Sequence, residues 1–141
     1  MNKIANLCFF AWLLITSSCN VQSQNYSVTI QDTVQTKFRG FAPDKSKLIV
    51  FLGPGFDKDS IAVYINDKLF EKRLIEINYS VAVDEVNISN TNDIHMMGIS
   101  VNNGNIINIK PKPQIYVMRI DLDKEQRILK VVYMDKIPFY D

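Results

Sequence analysis

From position 26 onward, apolar and polar residues alternate in short runs separated by turn-forming residues. In Tyr26–Val34 (YSVTIQDTV), Val28 and Ile30 fall on one side and Thr29 and Gln31 on the other. Ser60–Ile65 (SIAVYI) repeats the pattern, with Ile61, Val63 and Ile65 facing one way. A period of two marks a strand with one buried face, because successive side chains point to opposite sides of a sheet. Lys47–Leu52 (KLIVFL) differs: it is a compact apolar run and reads as a central strand. Gly53-Pro54-Gly55 ends it. Asn66-Asp67 predicts a tight turn into a partner strand at Lys68–Ile77, since Asn and Asp tolerate positive φ. Ser80–Ile88 and Met96–Val101 are further short strands. Asn102-Asn103-Gly104 is the strongest hairpin signal, with Ile106–Ile109 on its far side. Pro111 and Pro113 interrupt pairing and mark a crossing or an edge. Gln114–Leu122 and Arg127–Tyr133 form a last hairpin around Asp123-Lys124-Glu125-Gln126. Asn87–Asn92 (NISNTN) is polar and reads as a loop.

The series amounts to about nine short strands with no helical periodicity. The expected fold class is all-β: an antiparallel two-sheet β-sandwich, Ig-like or jelly-roll-like, in preference to a closed barrel. Several strands break the simple pattern. They carry apolar residues on both sides, as at Tyr116, Val117 and Met118, so some faces that should be wet must be covered or exposed for a reason.

The first 25 residues follow another rule. Lys3 precedes an unbroken apolar run, Leu7–Ile15 (LCFFAWLLI), and Thr16-Ser17-Ser18-Cys19 follows. A charged start, a short apolar run and small residues make a secretory signal peptide. The run is far shorter than the roughly 20 residues a membrane-spanning helix needs. Small residues directly before Cys19 resemble the lipobox of bacterial lipoproteins. The resemblance implies cleavage after Ser18 and acylation of Cys19, which becomes the mature N-terminus. Thr16 departs from the pattern, which prefers Leu there, and the likeness covers residues 1–20 alone. The alternative is ordinary cleavage nearby, for example after Ser23, releasing a secreted protein. The expected organisation is a signal peptide (1–18), a tether (19–25) and a β-sandwich domain (26–141). The expected location is the bacterial cell envelope, periplasmic or surface, with the membrane as partner through an N-terminal lipid. Acyl chains anchor by burying methylenes at about 0.8 kcal/mol each, so several chains on one cysteine hold firmly.

Composition adds three constraints. The folding unit of about 115–120 residues can bury roughly two-thirds of its unfolded surface, enough for one core. The only cysteines, Cys8 and Cys19, precede it, so it has no disulfide and no Cys-based metal site. Lys and Arg number 16 against 15 Asp and Glu, and setting Lys3 aside leaves 15 against 15. This balance gives no electrostatic reason for nucleic acid as a partner.

Candidate chemistry is sparse. His95 is the sole histidine, so a triad or zinc site would rest on it alone. No G-x-S-x-G surrounds any serine, and Gly53-Pro54-Gly55 lacks the Lys-Ser/Thr ending of a phosphate loop. Asp121, Asp123 and Glu125 alternate and would share one side of a strand, which makes them calcium candidates. The plainer reading is a solvated hairpin turn beside Lys124 and Arg127. Asp57 with Asp59, and Asp84 with Glu85, are further carboxylate pairs. Tyr64, Phe70, Tyr79, Tyr116, Tyr133, Phe139 and Tyr140 could offer sugar platforms, but are expected to fill the core. Asp32-Thr33-Val34 and Asp59-Ser60-Ile61 resemble the O-glycosylation acceptor of Bacteroidota, making Thr33 and Ser60 candidates.

These features favour a non-catalytic binding or assembly module with a protein or carbohydrate ligand, no cofactor and no nucleic acid. The alternative is a periplasmic inhibitor or immunity-type protein that caps a partner enzyme. A small carboxylate enzyme built on Asp121 and Asp123 ranks third.

Overall fold

The apolar runs become eleven β-strands in the computed structural model, which describes residues 24–35, 39–76, 84–89 and 91–139. They are β1 (Ser27–Gln35), β2 (Gly40–Phe41), β3 (Lys47–Leu52), β4 (Asp59–Ile65), β5 (Lys68–Ile75) and β6 (Asp84–Ser89). A single 3-10 turn (Thr91–Asp93) follows, then β7 (Met97–Val101), β8 (Ile107–Ile109), β9 (Val117–Asp123), β10 (Ile128–Met134) and β11 (Ile137–Pro138). The expected signal peptide, Cys19, the expected tether as far as residue 23, Tyr79 and Tyr140 lie outside the described residues.

The chain is all-β. Among the described residues the strands form a five-stranded sheet ordered β1-β10-β9-β3-β6, a four-stranded sheet ordered β5-β4-β7-β8, and a β2-β11 ribbon. The expectation of purely antiparallel sheets is corrected: β1 runs parallel to β10, and β3 runs parallel to β9. Hydrophobic period reports which face a residue occupies and is silent on the direction of the neighbouring strand. β3 meets β9 only after the chain has left to build the four-stranded sheet, so no local turn signal announces that pairing. The polar loop expected at Asn87–Asn92 is also revised. Asn87 to Ser89 continue β6, where buried Val86 and Ile88 alternate with exposed Glu85 and Asn87.

The tight turns behave as their residues dictate. Asn66 and Asp67 sit at φ 48 and 66, and Asn102 and Asn103 at φ 51 and 58, all left-handed. Pro111 and Pro113 lie in the crossover from β8 in the four-stranded sheet to β9 in the five-stranded one.

One cluster of buried side chains draws on both larger sheets. Leu48, Val50, Ile120, Leu129 and Tyr133 come from the five-stranded sheet, and Ile61, Val63, Met97 and Ile99 from the four-stranded one. Each such burial contributes about 1.5–3 kcal/mol relative to exposure. Ile49, Phe51, Val117, Val132 and Met134 form a second cluster on the opposite face of β3, β9 and β10, and Ile137 packs against it. Val117 and Met118 therefore face opposite ways and are both fully buried. This double coverage is why KLIVFL and YVM carry apolar residues on both sides.

Candidate functional site

A groove of about 630 Å³ opens between the 91–96 segment and the β8–β9 crossover. Leu48, Ile94, Met96 and Ile115 supply apolar lining, while His95, Lys110, Lys112, Tyr116, Asn92 and Gln114 supply most of the polar lining. Among the described residues, no aspartate or glutamate is part of the lining.

Both walls are held in place. The crossover cannot pair through Pro111 and Pro113, so it folds on its own bonds and on β10. Ile115 N–H donates to Lys112 O at 3.2 Å, Gln114 takes φ 63, and Tyr116 O accepts from Ile49 N–H at 2.9 Å. The buried Tyr133 hydroxyl donates to Lys110 O at 2.7 Å, and Lys112 Nζ lies 4.8 Å from the Tyr133 ring centre, a cation–π distance. The opposite wall hangs on Asn66. Its Oδ1 accepts from His95 N–H at 2.9 Å and Met96 N–H at 3.1 Å. Its Nδ2 donates to Asp93 O at 2.6 Å, and its N–H donates to Met96 O at 2.9 Å. One turn residue thus ties the histidine-bearing segment to the β4–β5 hairpin. The sequence announced Asn66 as a turn former, and nothing local to it announced this second task.

The groove's chemistry is donor-rich. Ammonium groups donate and never accept, whereas amides and the phenol do both. His95 is exposed and has no carboxylate beside it in the lining to orient its ring. A smaller hollow of about 520 Å³ lies on the other side of Gln114, Ile115 and Tyr116, bounded by Pro43, Lys45, Met134 and Asp135.

The carboxylates singled out in the sequence lie outside this lining, and most of them are engaged. Asp121 and Asp123 border a hollow of about 400 Å³ with Lys124, Glu125 and Lys130. Asp121 Oδ1 is 3.2 Å from Arg119 Nε, and Asp123 Oδ2 accepts from Lys130 Nζ at 3.0 Å. Asp123 Oδ1 accepts from Gln126 N–H at 3.0 Å, while Glu125 sits exposed on the turn. Among the described residues, no three of His, Cys, Asp and Glu gather in a group that could hold a metal ion. Asp84 binds Arg73 Nη1 at 2.9 Å and Glu85 O accepts from Nη2 at 2.6 Å, joining β5 to β6 across the two sheets. Asp59 is buried, so Asp59-Ser60-Ile61 is not presented as a free loop. Thr33 falls in β1, and its side chain lies outside what the structure describes.

Asp121 and Asp123 titrate in opposite senses. Burial pushes the Asp121 carboxyl up, against the opposing pull of Arg119. The Gln126 backbone N–H, with Lys130, holds Asp123 down. A carboxyl raised by folding is most favourable to the fold below its ordinary range, and that benefit is lost as pH rises through the raised value. A lowered one stabilises above the ordinary range and loses its effect as pH falls. Asp121→Asn should therefore raise the melting temperature at neutral pH, with the gain vanishing under acid. Asp123→Asn should lower it at neutral pH. Paired melts of both variants at neutral and acid pH would expose a wrong sign directly.

The aromatic expectation needs correcting. Of the described rings on that roster, Tyr133 is buried, Tyr64 and Tyr116 are half-buried, and Phe70 and Phe139 are exposed. Core positions go instead to Tyr26, Phe51 and Phe56. Phe139 makes an edge-on contact with exposed Phe41, the ring centres 4.6 Å apart. No protein-family model, curated protein or solved structure matches this chain.

Proposed function

We propose that this chain is an exported, lipid-anchored, non-catalytic β-sandwich module of the bacterial cell envelope that binds a small ligand in its end groove. The sandwich reading draws support from the buried cluster that the five- and four-stranded sheets share. The binding reading is carried by one observation: among the described residues the groove gathers lysine, amide and imidazole groups and one phenol, with no carboxylate in the lining. Such a set recognises an acceptor-rich molecule. Asn92→Trp, at an exposed position, should fill the groove without disturbing the core. The full chain should retain one purified envelope fraction on a column, and this variant should release it at an unchanged melting temperature. Retention indifferent to the tryptophan would remove the groove from the reading.

Anchoring rests on the lipobox-like segment ending at Cys19. Cells fed labelled palmitate should label the wild-type chain in the membrane fraction. Cys19→Ala should lose the label and shift most of the protein to the soluble fraction. A wild-type chain that is soluble and unlabelled would refute the anchor.

The alternative, capping of a partner enzyme, is favoured by one feature. Leu69, Phe70 and Leu74 are exposed on β5, which lies at the end of the four-stranded sheet. If that strand docks a protein, Phe70→Lys with Leu74→Lys should abolish co-purification while leaving the groove's ligand bound.

A further inference from the structure

The geometry points to an acidic saccharide, a sugar bearing a carboxylate, as the occupant of the groove between the 91–96 segment and the β8–β9 crossover. This assignment rests on the binding reading above and names its ligand class.

Charge is the first argument. The whole chain is almost balanced, at 16 cations against 15 anions. Among the described residues the groove's lining is not: Lys110 and Lys112 line it, Lys112 lying over the Tyr133 ring, His95 stands with them, and no carboxylate belongs to the wall. Asp93 lies next to the lining in sequence, but its carbonyl is turned to Asn66 and its side chain is not part of the wall. A concave site lined by one sign of charge concentrates ligands of the other sign. Shape and surface supply the second argument. A volume near 630 Å³ falls in the range of about 300–1,000 Å³ typical of small-molecule sites. Tyr116, Pro111 and Pro113 give it flat apolar surface, suited to the C–H face of a sugar ring. Asn92 and Gln114 each offer a donor and an acceptor, which hydroxyl groups match from either side. The third argument is order. The Asn66 bonds, the Tyr133 hydroxyl and the Lys112 cation–π contact fix both walls before any ligand arrives. A preformed site loses little conformational freedom on binding.

The test is calorimetric titration of the detergent-solubilised full chain with trigalacturonate, neutral trigalactose and tetraglutamate. Trigalacturonate should bind, more weakly as salt is raised. Lys110→Gln should weaken it about tenfold, the loss of one charge-assisted hydrogen bond. Tyr116→Phe should hold most of the affinity and Tyr116→Ala should lose about fivefold. Asp135→Asn, in the neighbouring hollow, should change nothing. Equal binding of trigalactose would overturn the acidic assignment and leave the binding reading standing. Equal binding of tetraglutamate would overturn the saccharide assignment in favour of an acidic peptide. If none of the three binds, the inference fails, and the binding reading then stands or falls on whether Asn92→Trp still releases the envelope fraction.

Discussion

Asp59→Ala is expected to destabilise the chain by roughly 3 kcal/mol, among the largest losses available to a single polar substitution. Asp59 is 3% exposed at the start of β4 and serves three partners. Its Oδ2 accepts from Asp57 N–H at 2.9 Å and faces Lys124 Nζ at 2.9 Å. Its Oδ1 accepts from Asn102 Nδ2 at 2.8 Å. Asn102 in turn accepts from Ser60 N–H at 2.9 Å and donates its own N–H to Ser60 O at 2.7 Å. The carboxylate thus ties together the loop before β4, the β7–β8 turn and the β9–β10 turn, which belong to different sheets. Truncation orphans two protein donors, each costing about 1–3 kcal/mol when desolvated. Lys124 is 46% exposed, so water takes up its ammonium and its share is small. Lys124→Ala should accordingly cost less than Asp59→Ala, roughly 1 kcal/mol. Because the sites touch, the double variant should lose less than the sum of the two. Urea unfolding of the three variants measures all of this. An Asp59→Ala loss no larger than that of Lys124→Ala would show that the carboxylate matters only as a surface ion pair.

Gly55→Val should be more damaging still, at roughly 3 kcal/mol or more against a total stability of about 5–15 kcal/mol. Two independent causes converge. Gly55 sits at φ 97, which side chains rarely adopt. A Cβ there would lie 1.7 Å from the carbonyl oxygen of Leu122, a backbone atom of β9. Relief requires the loop to leave the strand and give up the bond from Leu122 N–H to Pro54 O at 2.9 Å. Gly53→Ala provides the contrast. Its Cβ would meet Asp121 Oδ1 at 2.1 Å, but the three nearest atoms belong to the Asp121 and Arg119 side chains, which can swing away. Circular dichroism and urea melts should therefore find Gly53→Ala folded and moderately weakened, and Gly55→Val largely unfolded. Equal effects at the two positions would contradict the assignment of strain to the Gly55 backbone.

These two glycines illustrate how far the sequence could be read. Gly53-Pro54-Gly55 was legible as a turn, yet which glycine is indispensable depends on Leu122, far along the chain. The strand at Lys47–Leu52 was legible to the residue, because a buried strand writes an unbroken apolar run. Asn66-Asp67 and Asn102-Asn103 were legible as hairpins, because few residue types accept φ near 50. The β2–β11 ribbon escaped notice: two-residue strands are too short to show a period. The groove escaped as well. Its two walls are separated by the β7–β8 hairpin, and no spacing rule links His95 to Tyr116. The aromatics misled for a related reason. A ring's burial depends on the face and neighbour it meets, so Phe56, between Gly55 and Asp57 in the sequence, is buried while Phe70, next to Leu69, is exposed.

That this chain is all-β, where most of its strands begin and end, and which turns close its hairpins could be read from residue order alone. Those properties are local, set by side-chain alternation and by the few residues that tolerate left-handed backbone. The parallel pairings of β1 with β10 and β3 with β9, the buried Asp59 network and the set of residues that lines the groove came from the tertiary fold. Each of these is a meeting of segments distant along the chain, and a one-dimensional pattern holds no record of which distant segments come to lie side by side.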